Sequence, residues 1–267
     1  QPQPGRAGHR IEGGAAFVLR PLAPVGAGVL EQVEGDEAGG GLGKHASGRN
    51  SGVLHAGIYY APDSSKARTC LSGNKLMRAY CREKGLPLVE GGKVVVARSE
   101  EELPTLEELH RRATANGARV GFVDEKELAA IEPMARTVGK ALHSLDTAVV
   151  DPKAVLSSLR AGLEAAGARI ATGCRFLRLA APDVAETTLG RIRFGRVVNA
   201  AGAWCDVVAR AFGVGERYRL IPFKGIYRKL RAGASFPVNG NIYPVPDVRN
   251  PFLGVHFTRM VKGGVEA

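Results

Sequence analysis

The stretch that decides the fold is Asp151–Gly173, DPKAVLSSLRAGLEAAGARIATG. The Asp151 carboxylate can cap a helix start. Pro152 suits the first helical position, where its missing N–H has no partner to lose. Val155, Leu156, Leu159 and Leu163 recur at helical spacing and predict one buried stripe, and Gly167 follows the helix end. Arg169–Ala171 then reads as a strand. A capped helix feeding straight into a strand is one unit of an α/β architecture.

The alternation continues on both sides. Upstream, Ala67, Cys70, Leu71, Met77, Tyr80 and Cys81 predict a helix from Ser64 to about Lys84, stopped by Gly85 and Pro87. Lys93–Ala97 reads as a buried strand. A helix is predicted over about Glu100–Asn116, with Leu103, Leu106 and Leu109 on one face and Gly117 as its C-cap. Asp124 and Glu127 form a capping box for a short helix closed by Pro133. Downstream, strands are predicted around Phe176–Leu179 and Arg196–Asn199, then a helix from Trp204 to Phe212. The tail reads as β-rich, at Leu220–Pro222, Gly225–Leu230, Asn241–Val245 and Phe252–Phe257. Pro244 and Pro246 bracket Val245, which predicts an edge strand or a lip there. Residues 1–43 are rich in Gly, Pro and Ala, with Ala16–Leu19 as their one strand-like run.

The chain has 267 residues and is 45% hydrophobic, enough for one large or two interleaved domains. A net charge of +11 favours anionic partners. The charge is dispersed rather than blocked, so nucleic-acid binding is not expected, while peripheral contact with an acidic leaflet stays open. Cys70, Cys81, Cys174 and Cys205 form no C-x-x-C pair, so neither a metal site nor a disulfide framework is expected. That pattern suits a reducing, cytoplasmic setting, with attachment to the inner membrane as the alternative. No apolar run is long enough to span a bilayer, and no cleavable leader is visible. The chain starts at Gln1 and ends at Ala267, and both ends read as cut.

Four segments carry chemistry. In Gly48–Tyr60, glycines flank a polar Arg49-Asn50-Ser51 cluster, so backbone N–H groups can approach a pyrophosphate or a flavin edge. An ordinary polar loop reads equally well. In Val197–Trp204, a buried strand runs into the small residues Ala200, Ala201 and Gly202 before a helix. This suits a cofactor packed on backbone, or a ligand-free crossover. The third segment joins Ile221–Tyr227 with Asn241–Asp247, and the fourth is Pro251–Thr258. Lys224, Arg228 and Arg259 could recognise carboxylates, and His256 alternates with apolar residues.

Together these segments resemble the L-2-hydroxyglutarate dehydrogenase/oxidase family of the D-amino-acid-oxidase-like superfamily. The resemblance rests on RNSGVLHAGIYY (49–60), KAR (66–68) with the helix to YC (80–81), GGKVVVA (91–97), NAAGAWCD (199–206) and IPFKGIYRKL (221–230). Above all it rests on GNIYPVPD (240–247) and PFLGVHFT (251–258). It runs collinearly from about Lys44 to the C-terminus.

The resemblance implies a flavoprotein with non-covalent FAD that oxidises L-2-hydroxyglutarate, a 2-hydroxy dicarboxylate, to 2-oxoglutarate. Its electrons would pass to a quinone, a respiratory carrier or oxygen. An incomplete Rossmann-like FAD-binding domain is expected at 44–90 and 145–215, interleaved with a β-sheet substrate domain at 91–144 and 216–267. Gly48, Arg49, Asn50, Ser51, Gly52, Ala200, Ala201 and Gly202 are expected to line the cofactor, with Phe176 against its adenine. Tyr59, Lys224, Tyr227 and Tyr243 are expected to hold the substrate. The base is expected to be a histidine, whose unperturbed pKa of about 6.5 suits the task. His55 and His256 are equal candidates by sequence.

The sequence departs from the family at both ends. The nearest approach to G-x-G-x-x-G is Gly26–Glu31, with Glu31 in the last position and Pro21 and Pro24 interrupting the strand that should precede it. It reads as a chance match, and 1–43 reads as an aberrant segment out of register with the family. Gly39–Lys44 followed by His45 is not a P-loop. The chain also stops before the family's C-terminal flavin-closing stretch. Half of the FAD site is therefore expected to be missing, and the isolated chain to be an impaired form. The alternatives are a related FAD-dependent oxidase of glycerol 3-phosphate or an amino acid, a non-catalytic basic binding protein, and an inactive gene remnant.

Overall fold

The computed structural model describes residues 16–20, 28–31, 42–223, 225–231, 236–247 and 254–267. In chain order the elements begin with β1 (Ala16–Arg20), β2 (Gly28–Glu31), β3 (Val53–Leu54), α1 (Ser65–Glu83), β4 (Leu88–Val89) and β5 (Lys93–Val96). Next come α2 (Leu103–Ala115), β6 (Val120–Asp124), α3 (Glu125–Ile131), β7 (Lys140–Ser144), β8 (Ala148–Val150) and α4 (Pro152–Ala165). The series ends with β9 (Arg169–Thr172), β10 (Phe176–Ala181), β11 (Val184–Thr187), β12 (Gly190–Arg193), β13 (Arg196–Asn199), α5 (Cys205–Ala211), β14 (Asn241–Pro244), β15 (Phe257–Arg259) and β16 (Val265–Glu266).

These elements form two compact units, 1–49 with 156–224 and 50–155 with 225–267. The units differ from the domain boundaries expected from sequence. Residues 50–90 and 145–155 belong with the second unit because Ala56 and Ile58 share a core with Val95, Leu106 and Leu109. Asn74 also bonds to the backbone of Leu54, His55 and Asp146. Residues 216–224 belong with the first unit, where the Leu220 N–H donates to Asp206 and the Arg210 guanidinium donates to the Tyr218 carbonyl.

The first unit holds a four-stranded sheet in the order β13-β1-β2-β9, with β2 and β9 parallel. Residues Gly28–Glu31 are thus a strand within this sheet and not a glycine-rich turn into a helix. A second, antiparallel sheet runs β10-β11-β12. The hairpin β11–β12 is not evident in the sequence, because its strands are short and expose Arg191 and Arg193. Its tight turn is closed by Thr187, whose hydroxyl donates to the Gly190 carbonyl at 2.6 Å. Phe176, Phe194, Ala201 and Val208 form the core.

Helix α4 starts as its sequence dictates, with the Asp151 carboxylate accepting from the N–H groups of Lys153 (2.9 Å) and Ala154 (3.2 Å). Its apolar stripe is closed only at the N-terminal end. Val155 packs with Cys81 and Val150, whereas Leu159 and Leu163 stay 44% and 39% exposed.

The second unit is built on a six-stranded sheet, β16-β15-β14-β5-β7-β6, in which β14 and β5 are parallel and the other pairs antiparallel. Side chains alternate across β5. Val94 and Val96 join Leu128 of α3, Ile242 and Val265 on one face. Val95 joins Leu106, Leu109 and Ala113 of α2, Leu142 and Tyr243 on the other. Strand β14 is interior, contrary to the edge expected from its prolines. The physical reason is register: its antiparallel partner reaches only Asn241 and Ile242, so the missing N–H of Pro244 interrupts no ladder. Among the described residues the tail is less regular than expected, and Phe252 and Leu253 of the expected Phe252–Phe257 strand lie outside them. Leu220–Pro222 is irregular and exposed, and Gly225–Leu230 contributes one bridge, Lys229 to Glu266.

The starts of β5 and β14 are locked together. A Cβ on Gly240 would lie 2.2 Å from the Gly91 carbonyl oxygen, so only glycine permits the backbones to touch. The buried Glu132 carboxylate accepts from the N–H groups of Asn239 (2.9 Å) and Gly240 (2.5 Å) and fixes this crossing. The capping box of α3, Asp124 with Glu127, forms as read from sequence and sets the helix that carries Glu132 at its end. A small sheet, β3-β8-β4, completes the unit. Among the described residues no helix is long and apolar enough to cross a membrane, and no group of three or more His, Cys, Asp or Glu side chains could hold a metal ion. All four cysteines are free.

Candidate active site

The register of the six-stranded sheet places a polar row on its α2 face. Lys93 pairs with Ser144 and Asn241 with Thr258, and one step back from the Val94–Ile242 pair sets Asn241 beside Lys93. All four are buried, with Lys93 1% exposed. Asn241 donates to the Gly92 carbonyl at 2.9 Å, and the Ser144 and Thr147 hydroxyls share a 3.2 Å hydrogen bond. The Asn241 Oδ1 is buried without a partner.

Lys93 has an unusual setting for an amine. Its Nζ donates to the Tyr59 hydroxyl at 3.2 Å and lies over the rings of Tyr59 (4.4 Å) and Tyr243 (4.7 Å). Among the described residues no carboxylate pairs with it. Burial pushes its pKa down to about 7, with the Cys70 thiol opposing the shift. The two ring faces attract a cation but do not replace an ion pair. Burial raises the Tyr59 phenol well above its ordinary value, with Tyr243 and Tyr60 adding to the rise, so Tyr59 keeps its proton. Tyr243 is raised by burial as well, against a hydrogen bond with Thr258.

Both candidate histidines contact Tyr243. The His256 ring lies 4.2 Å from it, and the His55 ring 6.5 Å away in an edge-on arrangement. His256 Nδ1 is 2.9 Å from the Gly254 carbonyl oxygen. A carbonyl can only accept, so Nδ1 carries the hydrogen and Nε2 is left as the free basic nitrogen of the neutral ring. His55 differs. Its Nδ1 is buried without a partner, and its pKa is lowered to about 3 by burial first, then by Lys93 and His256. His55 is therefore neutral at physiological pH.

The loop that presents His55 and Tyr59 is held from behind by helices. The Cys70 thiol and the Asn74 amide of α1 both donate to the His55 carbonyl, each at 3.2 Å. Asn116, at the end of α2, donates to the carbonyls of Gly57 (2.9 Å) and Tyr60 (3.0 Å). Gly57 sits at φ +77°, in the left-handed region where glycine is favoured.

Of the residues expected to hold substrate, Tyr59 and Tyr243 join this cluster with both histidines. Tyr227 is half exposed in irregular chain, with its phenol close enough to Tyr243 to add to that group's rise. Lys224 lies outside the described residues. Sequence reading missed Lys93, whose place in a Val-rich run made it look like one more strand residue. Its signal was there: a lysine opening an otherwise apolar strand must be either exposed or specially housed.

The residues expected to line the cofactor are spread over both units. Asn50 and Gly52 have local duties in the second unit. The Asn50 side chain accepts from the Gly52 N–H at 2.9 Å, and Gly52, at φ +71°, lies so close to the Val150 carbonyl that a Cβ would meet it at 2.2 Å. Ser51 is half-buried between them. In the first unit, Gly48 lies against the Gly43 backbone and Arg49 is exposed. The Phe176 ring is buried and stacks on Phe212 at 5.7 Å, so only its backbone is left to meet an adenine. Ala201 is buried under an open strand end, where Ala200 and Gly202 are exposed and a Cβ on Gly202 would meet nothing within 4 Å. In the same unit, His45 Nε2 is buried without a partner, with its ring edge-on to Trp204 at 5.3 Å. An open carboxyl end of a strand, small residues and an orphaned polar atom fit a nucleotide cofactor such as FAD.

Comparison with known proteins agrees with this picture. A family model described as "DAO: FAD dependent oxidoreductase" matches residues 32–266. The L-2-hydroxyglutarate dehydrogenase of Indibacter alkaliphilus is 37% identical over 231 residues, covering 85% of this chain and 58% of its own length. The mitochondrial L-2-hydroxyglutarate dehydrogenase of Homo sapiens is 35% identical over 240 residues, covering 84% of this chain and 52% of its own. The chain thus spans about half the length of the curated relatives it matches. Among solved structures, glycine oxidase from Geobacillus kaustophilus superposes with a TM-score of 0.69 at 20% identity, covering 85% of this chain and 61% of that one. The FAD-bound L-alpha-glycerophosphate oxidase from Mycoplasma pneumoniae gives 0.68 at 20% identity, over 84% and 61%. At these identities the structures share the fold.

Proposed function

The chain belongs to the DAO family of FAD dependent oxidoreductases, and from that premise we propose that it carries the substrate site of a flavoenzyme. The reaction is oxidation of the 2-hydroxyl of L-2-hydroxyglutarate to the 2-oxo acid. The observation that carries this reading is the cluster of Tyr59, Lys93, Tyr243, His55 and His256 on one face of the second unit's sheet. The identity of the substrate is supported by the dehydrogenases at 35–37% identity.

His256 is the base in this reading. Its Nε2 is free to take the hydroxyl proton as the C2–O bond becomes a carbonyl. His55 is a poor base, because a conjugate acid with a pKa of about 3 is too costly to form at neutral pH. It serves as a neutral hydrogen-bonding group beside the substrate. The Tyr59 and Tyr243 phenols stay protonated and donate to substrate oxygens. When bound, FAD supplies the acceptor for the hydride that leaves C2. Within the first unit, Ala200, Ala201 and Gly202 at the end of β13, together with the backbone of Phe176, are the residues that would hold it. A quinone or oxygen is the terminal acceptor suggested by the family resemblance, and contact with a membrane surface remains an expectation of charge alone.

The test is a substrate panel. The chain is reconstituted with FAD and mixed anaerobically with L-2-hydroxyglutarate, its D-enantiomer, glycerol 3-phosphate and glycine. Bleaching of the flavin band by L-2-hydroxyglutarate alone is expected. Bleaching by glycerol 3-phosphate or glycine instead, or by none of the four, contradicts the assignment.

A further inference from the structure

We propose that Lys93 is a positioning residue whose protonation turns the Tyr59 hydroxyl outward as a donor for a substrate carboxylate, so that binding of a dicarboxylate draws a proton into the protein. This rests on the functional reading above and extends it to how the pocket recognises charge.

An ammonium group has three donors and no acceptor. When Lys93 is charged, the Tyr59 oxygen at 3.2 Å must accept from it, and the phenolic hydrogen must point away from Lys93. A neutral amine has a lone pair, and Tyr59 can then donate inward to it. The protonation state of Lys93 therefore selects which way the Tyr59 donor faces. Tyr59 as a residue keeps partial exposure while Lys93 is sealed, so of the pair Tyr59 is the one an incoming ligand meets first.

The environment makes this switch responsive to an anion. Lys93 faces Tyr59 from the loop after β3, Cys70 from α1 and Tyr243 from β14, and its charge opposes protonation of His55. None of these neighbours is a carboxylate. A buried ammonium without a counter-ion is costly, and an incoming carboxylate on Tyr59 supplies the missing negative charge. Binding therefore favours the charged form, and the proton comes from the buffer. Because the amine titrates near neutrality, uptake of about half a proton per ligand is expected at pH 7.

Two measurements test the inference on the full chain. The first needs no ligand. The Raman Fermi doublet of tyrosine reports whether a phenol donates or accepts, and it is followed through neutral pH in the wild type, Lys93→Met and Tyr59→Phe. A titrating component present only in the wild type is expected, and its absence from the wild type or its survival in either variant overturns the inference. The second is calorimetry with glutarate, which has two carboxylates and no hydroxyl to oxidise, in buffers of different ionisation enthalpy. Proton uptake is expected in the wild type and in neither variant, with affinity weakening about tenfold per pH unit above the Lys93 pKa. Uptake that persists in Tyr59→Phe, or glutarate binding without uptake, overturns the inference. A titrating phenol in a protein that does not bind glutarate overturns the dicarboxylate half of the inference and, separately, the substrate assigned above, while the Lys93–Tyr59 coupling stands.

Discussion

Asn74 holds His55 in place: the amide of this buried side chain donates to the His55 carbonyl at 3.2 Å while also reaching the carbonyls of Leu54 and Asp146. One helix residue thereby ties the histidine loop to the turn before β8. Asn74→Leu leaves three partly buried carbonyls without this donor. The expected loss is about 1–3 kcal/mol in urea denaturation, with faster amide exchange in residues 53–57. A variant as stable and as protected as the wild type would show that Cys70 alone is sufficient.

Lys93 makes stability depend on pH in the alkaline range. Its folded pKa, about 7, lies below its ordinary value of 10.5. The unfolded chain therefore holds a proton that the folded chain lacks between those limits. Stability falls as pH drops from 10.5 towards 7 and then levels off. Lys93→Met removes this dependence. The difference between wild type and variant is expected to shrink by roughly 3–4 kcal/mol between pH 7 and pH 10, as measured by urea denaturation at both values. Parallel curves would mean that Lys93 finds a counter-ion in solution.

His55 acts in the acid range by the same logic. Its folded pKa of about 3 lies below the ordinary 6.5, so the unfolded chain gains a proton first as pH falls. The stability this group confers is complete above about pH 6.5 and is lost towards pH 3. His55→Gln is expected to flatten the acid loss by roughly 2–3 kcal/mol between pH 6.5 and pH 4. Denaturation midpoints across that range decide it, and an unchanged acid slope counts against a buried neutral imidazole.

Glu132 links the fold to the site, because it fixes the crossing from which β5 and β14 carry Lys93 and Tyr243. Glu132→Ala strands two N–H groups and is expected to cost about 2–4 kcal/mol. Gly240→Ala forces a Cβ into the Gly91 carbonyl and is expected to cost at least as much. Thermal unfolding of the two variants provides the check, and a melting temperature within a degree or so of wild type would refute the role of the crossing.

Much of the second unit could be read from residues in order. The helical spacing of Ala67 to Cys81, the capping box at Asp124 and the apolar run after Lys93 each became the element they predicted. These signals are local, and local signals survive in a sequence. What could not be read was set by pairing between distant residues. The parallel ladder of β14 on β5 put Pro244 at the inner end of a short partner, so a proline-flanked strand became central. The same ladder put Lys93 under two tyrosines contributed by residues 34 positions before and 150 positions after it. The site was half legible for the same reason. Tyr59, Tyr243, His55 and His256 stand in recognisable motifs, whereas Lys93 acquires its character only from burial. The expected stripe of α4 marks the limit of periodicity: spacing shows that Leu159 and Leu163 share a face with Val155, but not whether that face is covered.

The most direct test of the central claim is NMR of the histidine imidazoles and tyrosine rings while L-2-hydroxyglutarate is added to the chain. If the tyrosine–histidine–lysine cluster is the dicarboxylate site, the signals of His55, Tyr59, Tyr243 and His256 shift together with one dissociation constant, and those of His110 and Tyr80 stay still. Shifts confined to residues outside the cluster, or none at concentrations that saturate a dehydrogenase of this family, would contradict it.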